Sequence, residues 1–450
     1  MVRRIRPRLP LALCCTAALA TGCAAASSPA VTTQSTRTGS ATVTHTSAHE
    51  VTPGAAASGR LTLITEPRDG IAPVLSAIED ARRKVDMVMY EDDDGQVNAA
   101  LAADVHRGVS VRVLLNGGYY GQGSPENQPA YNYLKRHGVP VRWTPSYFAL
   151  THQKTLIVDG RAYILTFNLT PQYYASSRDF GVIDTIPTDV AAIERTFNAD
   201  WNGRRIPAQP GDDLVWSPGS QGALVALIGS ASGWVDVYNE EMDSPAIETA
   251  LARDARRGVD VRVTMTADSS WDSAFTLLAS AGVHVRTYAA DAPLYIHAKM
   301  ILTPAEAFIG SQNFSAESMN DNRELGIITS DPIIRVSLAR TFGADYAQAT
   351  PYPSAEGVGT GAGSGAGGGS SMSAECSVTA SYSSRYDDWD VYVHSNQPDA
   401  TATVTGSAGA TGSYHTDAAG YADIYLKAPA SAAGQSISVH VGEATCIGTL

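Results

Sequence analysis

The sequence predicts an α/β protein built twice over and followed by a small β-sandwich. Three observations lead there. "RGVSVRVLLN" (107–116) returns as "RGVDVRVTMT" (257–266), and "HGVPVRW" (137–143) returns as "AGVHVRT" (281–287). Each copy follows a stretch with apolar residues at helix spacing, is separated from it by a glycine stop, and opens an alternating strand. Helices and strands that alternate in this way form sheets covered by helices. The third observation is "AEGVGTGAGSGAGGGSSM" (355–372), a Gly/Ser linker that marks a domain boundary. Beyond it lie short alternating strands separated by Gly, Asn and Pro, the pattern of a β-sandwich.

The order of segments follows from composition. In residues 1–23 four arginines precede an apolar run from Leu9 to Ala20, too short to span a bilayer, which reads as an export signal. "LATGC" ending at Cys23 resembles the lipobox after which bacterial lipoproteins are cut and acylated; cleavage after Ala26 is the other reading. Both predict a protein outside the cytoplasm, secreted or held on the outer face of the cell membrane. Residues 24–58 are rich in Ala, Ser, Thr, Val and Gly without periodicity, and read as a disordered tether. The repeat divides into halves 59–205 and 206–352, with the linker at 353–373 and the terminal module at 374–450. Cys376 and Cys446 stand near the two ends of that module, and in an oxidising compartment they read as one disulfide. No thiol lies between Cys23 and Cys376, which excludes a cysteine nucleophile or thiolate metal site there. The formal charge is −13; loss of residues 1–22 removes Arg3, Arg4, Arg6 and Arg8 and no acid, giving −13 − 4 = −17. Such a chain lacks the basic field of a general nucleic-acid binder.

The chemistry lies in a second repeat. "THQKTLIVDGRAYILTFNLT" (151–170) aligns with "IHAKMILTPAEAFIGSQNFS" (296–315), and "RDFGVI" (178–183) with "RELGII" (323–328). A constant shift of 145 relates His152 to His297, Lys154 to Lys299, Asn168 to Asn313, Arg178 to Arg323, Asp179 to Glu324 and Trp201 to Tyr346. A single His-x-Lys is a common accident of a polar strand. Two copies with the same asparagine and acid offsets point to a site. In a strand, residues two apart share a face, so each histidine projects beside its lysine. "DG" (159–160) then predicts a tight hairpin whose return arm carries the asparagine.

These residues resemble the phospholipase D superfamily, marked by paired His-x-Lys-x4-Asp segments each followed by a Gly/Ser-x-Asn element. "MVMYEDDD" (87–94) and "VDVYNEEM" (235–242) resemble the strand before the first helix of each half. The resemblance covers about 59–352 and implies two similar halves, mixed sheets flanked by helices, facing across a pseudo-two-fold axis. It implies His152 as nucleophile and His297 as general acid and base, with a phosphohistidine intermediate and no metal or other cofactor. Asp179 and Glu324 are expected to orient His152 and His297 respectively, or else to pair with the neighbouring Arg178 and Arg323. Lys154, Lys299, Asn168 and Asn313 are expected on phosphate oxygens, with Thr166 and Ser311 as further hydroxyl donors or local backbone partners.

Two departures stand out. Leu165 replaces the glycine found as Gly310, which predicts a less close approach of backbone to phosphate in the first half. Pro304 replaces the aspartate found as Asp159, whose alternative role is turn chemistry. The acidic run 91–94 reads as helix capping rather than a calcium loop. The expected function is an exported phosphodiesterase that hydrolyses or exchanges phospholipid head groups, acting as a monomer because one chain carries both motifs. An extracellular nuclease and a binding protein without catalysis are the alternatives. A membrane-embedded synthesising transferase is disfavoured because no transmembrane helix follows the leader.

Overall fold

The computed structural model describes residues 60–353 and most of 376–449. The export signal, Cys23, the tether and the Gly/Ser linker lie outside the described residues. The first half runs β1 (Leu61–Glu66), α1 (Ala72–Glu79), β2 (Lys84–Met89), α2 (Gly95–His106), β3 (Ser110–Leu115), α3 (Gln128–Arg136), β4 (Val141–Trp143), β5 (Thr155–Val158), β6 (Arg161–Leu165), β7 (Ser177–Asp184) and α4 (Pro187–Trp201). The second half repeats it: β8 (Leu214–Ser217), α5 (Gln221–Gly229), β9 (Trp234–Tyr238), β10 (Met242–Asp243), α6 (Pro245–Arg256), β11 (Asp260–Thr266), α7 (Asp272–Ser280), β12 (His284–Tyr288), β13 (Tyr295–Ile296), β14 (Lys299–Leu302), β15 (Ala307–Gly310), β16 (Phe314–Ser315), α8 (Ala316–Asn320), β17 (Glu324–Thr329), α9 (Pro332–Gln348) and β18 (Thr350–Pro351).

Both sheets are mixed. The first has the order β1-β7-β6-β5-β2-β3-β4 and the second β18-β12-β11-β9-β14-β15-β17-β8. The strands that alternate with helices, β2-β3-β4 and β9-β11-β12, are parallel, as crossover connections require, and the hairpin strands are antiparallel. Helices α1–α3 bury Val74, Ile78, Val97, Leu101 and Leu134 against one face of the first sheet. Helices α5–α7 do the same in the second half through Leu224, Ile228, Ile247, Leu251 and Phe275. A third core joins the halves: Ile157, Ile164, Phe180 and Val182 meet Met300, Leu302, Ile309, Leu325 and Ile327, with Ile193 of α4 and Leu338 and Phe342 of α9. Each such side chain contributes about 1.5–3 kcal/mol on burial.

The repeat extends to buried charge. Arg112 forms a bidentate pair with Asp86 at 2.7 Å and Arg262 with Asp236 at 2.8 Å. Aromatic rings of the helix packed behind each sheet cover the guanidinium groups, Phe197 over Arg112 and Tyr346 over Arg262. These contacts seat α4 and α9 against the sheets.

The "DG" signal forms the expected hairpin, with Asp159 and Gly160 both at positive φ (49° and 89°). Asp159 lies at the end of β5 remote from Lys154, and its carboxylate accepts from the backbone N–H groups of Arg82, Arg83 and Lys84 at 2.8–3.0 Å. Its role is to form the turn and to tie the start of β2 to it, away from Lys154; Pro304, whose ring forbids a positive φ, sits in a different turn closed by Thr303 N–H on the Glu306 carbonyl. Asp94 caps α2 through Gln96 and Val97, as the acidic run predicts. Leu165 and Gly310 are both turned into packing: Leu165 fills the outer core, and a Cβ at Gly310 would come within 2.6 Å of Gly326 Cα and 2.8 Å of the Phe308 ring. The glycine thus serves close packing of β15 on β17 rather than approach to a ligand.

In the terminal module the strands Cys376–Ser383, Asp388–Ser395 and Tyr421–Leu426 form one antiparallel sheet. Thr401–Gly406, Thr411–His415, Ser436–Val441 and Ala444–Thr449 form a second. Val391, Val393 and Ile424 of one share a buried cluster with Val404, Ile437 and Val439 of the other, and Cys376 is disulfide-bonded to Cys446.

Replacing Asp159 by Ala is expected to lower stability by about 1–3 kcal/mol, since three backbone donors lose a charged acceptor. Burial opposes ionisation of Asp159, but the backbone N–H groups outweigh it and hold the carboxyl below its ordinary value. The stabilisation is therefore present above the ordinary carboxylate range and is lost as pH falls through the lowered folded value. The gap in thermal melts between the two proteins should be constant from about pH 7 to pH 5 and narrow as pH falls toward about 2; a gap that does not narrow would assign the effect to something other than the ionised carboxylate.

Candidate active site

Each histidine sits where a strand of one half crosses to the other. His152 and Gln153 both donate their backbone N–H to the carbonyl of Arg323, and His297 and Ala298 both donate theirs to the carbonyl of Arg178. An isolated bridge pairs Thr151 with Arg323, and β13 pairs with the start of β7. The uninterrupted strand expected through each His-x-Lys is therefore broken at the histidine, because its donors serve the opposite half.

The orienting acids are crossed as well. His152 Nδ1 lies 2.9 Å from Glu324 Oε2 and 3.0 Å from the Ser311 carbonyl. His297 Nδ1 lies 2.9 and 3.1 Å from the two oxygens of Asp179. The expectation that Asp179 orients His152 and Glu324 orients His297 is corrected: each acid serves the histidine of the other half. The alternative pairing of these acids with their neighbouring arginines fails for a related reason. Arg178 is held by Asp345 of α9 and Arg323 by Asp200 of α4, again across the halves. Carboxylates and carbonyls only accept, so Nδ1 carries the proton in both rings and Nε2 is left for chemistry.

Surroundings then separate the two sets. Burial lowers the His152 imidazole from its ordinary value; Glu324 opposes this and Lys154 adds to it. Lys154 is 1 % exposed, donates to the His152 carbonyl at 2.7 Å and lies 4.8 Å from the centre of the Tyr90 ring. Burial and then repulsion from Lys299 push it down to about 7. The two lysines, though from different halves, flank histidines that are joined across the halves by Glu324 and Asp179. Lys299 donates to the His297 carbonyl and, at 2.9 Å, to Glu240 Oε2, which also lies 3.4 Å from His297 Nε2. Burial would raise the Glu240 carboxyl, but Lys299, His297 and His152 outweigh it and hold it well below the usual range. Burial would likewise raise Glu324, and His152 overrides it.

Asn168 Nδ2 lies 3.4 Å from Glu91, and Asn313 is nearly buried, its backbone N–H donating to Ser318. The side-chain oxygens of both asparagines are buried without a protein partner. Thr166 and Ser311 are fully buried and their hydroxyls have protein partners: Thr166 donates to Asp179 at 2.5 Å, and Ser311 bonds the Leu325 backbone. Of the two expected roles, substrate donor and local backbone partner, these bonds match the second, and they support the acid-bearing strands. A cavity of about 290 Å³ beside Tyr147, Phe148, Arg205 and Arg323 contains none of the histidines or lysines.

Two acids of this region have no counterpart in the motifs. Glu240 is one. The other is Glu66, in register with Asp179 on β1 and 1 % exposed, which burial and then repulsion from Asp179 raise to about 9. Its counterpart in the second half, opposite Glu324, is Ser217.

Comparison with known proteins agrees with this architecture. The family described as "Cardiolipin synthase, PLD-like domain" matches residues 74–201 and 224–346. The chain belongs to that family. Among curated phospholipase D-like relatives it is similar to "Cardiolipin synthase A" of Pectobacterium carotovorum subsp. carotovorum, 24 % identical over 333 residues, 62 % of this chain and 67 % of the relative. It is also similar to "Cardiolipin synthase A" of Yersinia pseudotuberculosis serotype O:1b, 26 % identical over 346 residues, 64 % of this chain and 68 % of the relative. Among solved structures its fold is similar to phosphatidylserine synthase of Haemophilus influenzae Rd KW20, with a TM-score of 0.51 and 10 % identity over 66 % of this chain and 88 % of that one. It is similar in fold to polyphosphate kinase of Porphyromonas gingivalis too, with a TM-score of 0.50 and 14 % identity over 63 % of this chain. The chain spans just under half of that kinase, 47 %.

A phospholipase D-like site with a lysine poised near neutrality has a distinctive pH response. Below about 7 the Lys154 ammonium is protonated and can bind a phosphate oxygen; above it the neutral amine binds less well. Since kcat/KM reports the free enzyme, it should fall as pH rises through about 7 on a phosphodiester substrate. Lys154→Arg keeps its charge and should move that fall upward by about one unit or more, even at a reduced rate. An unmoved limb in the pH–kcat/KM profile would assign it to another group.

Proposed function

We propose that this protein transfers the phosphoryl centre of a phospholipid from its head group to water or to an alcohol, through a phosphohistidine on His152. The observation that carries this reading is the crossing: two His–Lys sets, each with its acid supplied by the opposite half, come together in one site. His152 Nε2 attacks phosphorus and the bond from phosphorus to the head-group oxygen breaks, while His297 gives its proton to that departing oxygen. His297 then takes a proton from water or alcohol, whose oxygen attacks phosphorus as the phosphorus–nitrogen bond breaks. Water yields a phosphomonoester; an alcohol yields a new phosphodiester.

The assignment of roles rests on the differing surroundings. His152 is buried and lowered in pKa, with Nδ1 committed to acceptors, which suits a neutral nucleophile. His297 has a carboxylate near each ring nitrogen, Asp179 at Nδ1 and Glu240 at Nε2, which suits a ring that carries and passes on a proton. The names of the relatives, synthases of cardiolipin and of phosphatidylserine, support an alcohol as acceptor and give phosphatidyl transfer more weight than the sequence alone gives it. Nucleic acid is the weaker substrate reading, because the carboxyl groups of Glu91, Glu240, Glu241 and Glu324 act on the two lysines. The leader of residues 1–23 and the Cys376–Cys446 disulfide support a place outside the cytoplasm.

With chelator present, the protein is expected to release or exchange head groups of phosphatidylglycerol or phosphatidylcholine vesicles and to leave single-stranded DNA intact. His152→Asn and His297→Asn should each lose at least about 10²-fold. A p-nitrophenyl phosphodiester separates their roles, because its leaving group departs without a proton. His297→Asn should then accumulate phosphohistidine on residue 152, seen by mass spectrometry of rapidly quenched protein, and His152→Asn should form none. A phosphoryl group on His297 would reverse the assignment, and activity confined to DNA would replace phospholipid with nucleic acid.

A further inference from the structure

The two halves differ at a matched position beside the histidines. The parallel ladders align Lys84 with Ser110 and Trp234 with Asp260, so a shift of 150 relates this part of the repeat and sets Tyr90 against Glu240. In the first half the position holds a ring, packed edge-on to His152 with centroids 4.5 Å apart. In the second it holds a carboxylate. Glu240 Oε2 is 2.9 Å from Lys299 Nζ and 3.4 Å from His297 Nε2, and Oε1 accepts from the Tyr295 hydroxyl at 3.0 Å. An anionic oxygen within reach of both an ammonium and the free nitrogen of the acid/base histidine stands where a phosphoryl oxygen would stand.

We propose that Glu240 is a specificity-determining residue: its carboxylate fills the phosphoryl-oxygen position at rest and, once displaced, makes the site admit singly charged phosphodiesters over doubly charged phosphomonoesters. This rests on the phosphoryl-transfer reading above and deepens it. The displaced side chain cannot travel far. Its backbone is fixed at the end of β9, where the Asn239 side chain accepts from the N–H groups of Glu240 and Glu241 at 3.0 and 3.1 Å. The carboxylate therefore remains close to the bound phosphoryl group, and repulsion grows with the charge on that group. A diester carries one negative charge and a monoester close to two at pH 7.5. Since hydrolysis makes a monoester from a diester, the same repulsion speeds product release and limits product inhibition. A tyrosine at this position, as in the first half, would give no such discrimination.

The test uses dimethyl phosphate and methyl phosphate as probes at pH 7.5, titrated into the intact protein and followed by the ring-proton shifts of His152 and His297. Wild type should bind the diester more tightly than the monoester. Glu240→Gln, which keeps the shape and loses the charge, should tighten methyl phosphate about tenfold and dimethyl phosphate clearly less. Glu240→Asp, which keeps the charge, should retain the wild-type ratio and guards against a merely structural effect. An unchanged ratio in Glu240→Gln, with both probes bound, would overturn the role of Glu240 and leave the phosphoryl site standing. No binding of either probe to any of the three proteins would overturn the phosphoryl site itself and this inference with it.

Discussion

The site depends on a single constraint: each half completes the other through the residues that open β7 and β17. Arg178 and Arg323 have the same two commitments. The carbonyl of each accepts two backbone N–H groups from the opposite histidine segment, and the guanidinium of each pairs with an aspartate on the opposite helix, Asp345 or Asp200. The next residue, Asp179 or Glu324, then reaches the opposite histidine. Backbone register, buried ion pair and catalytic hydrogen bond are thus fixed together. Stripping one partner from a buried ion pair costs about 3–5 kcal/mol, so sliding one half against the other is strongly resisted. Neither half alone contains an oriented histidine.

Two-fold repetition would by itself make two equivalent histidines, and a two-step transfer needs them to differ. Two differences lie behind and beside the repeated histidines and lysines. Beside the rings, Tyr90 and Glu240 set an aromatic surface against a carboxylate. Behind the acids, Glu66 lies opposite Asp179 where Ser217 lies opposite Glu324. Glu66 is buried and raised to about 9, so at neutral pH it stands as a protonated acid beside the carboxylate that holds His297. The duplicated residues provide the reaction geometry. The unmatched ones make the surroundings of His152 and His297 unlike.

Much of this was legible because the relevant residues are close in sequence. The i, i+2 spacing of His and Lys, the hairpin at Asp159–Gly160 and the unbroken shift of 145 residues are local signals, and the structure turns them into strands, turn and matched sites. The same shift relates Asp200 to Asp345, two residues that could have been read as partners for the arginines. What could not be read is which half each partner would come from: a pattern repeated within the chain is equally consistent with pairing inside a half and pairing across. The broken strand at each histidine has the same origin, since its donors go to a carbonyl more than a hundred residues away. Glu240 escaped because the shift changes from 150 to 145 between the first helix and the histidine segment, so that no shared residue type marks its position. Thr166 and Ser311 were matched correctly as a pair, but burial decides that their hydroxyls serve the protein.

The balance of charge in the site bears on what enters it. Two lysines share the site, one of them with its pKa lowered to about 7, and Glu91, Glu240, Glu241 and Glu324 act on them. Burial raises Glu91, and it raises Glu241 to about 7, so part of that negative charge is withdrawn as long as no further cation arrives. One phosphodiester can be neutralised by such a set. A polynucleotide would carry further phosphates into the carboxylates, at short range and in a medium less screening than water, and each would be repelled. A phospholipid such as phosphatidylglycerol or phosphatidylcholine carries a single diester and leaves its acyl chains in the membrane. The electrostatics therefore favour a substrate whose charge is concentrated at the reacting phosphorus, with a neutral or positive group on the departing oxygen.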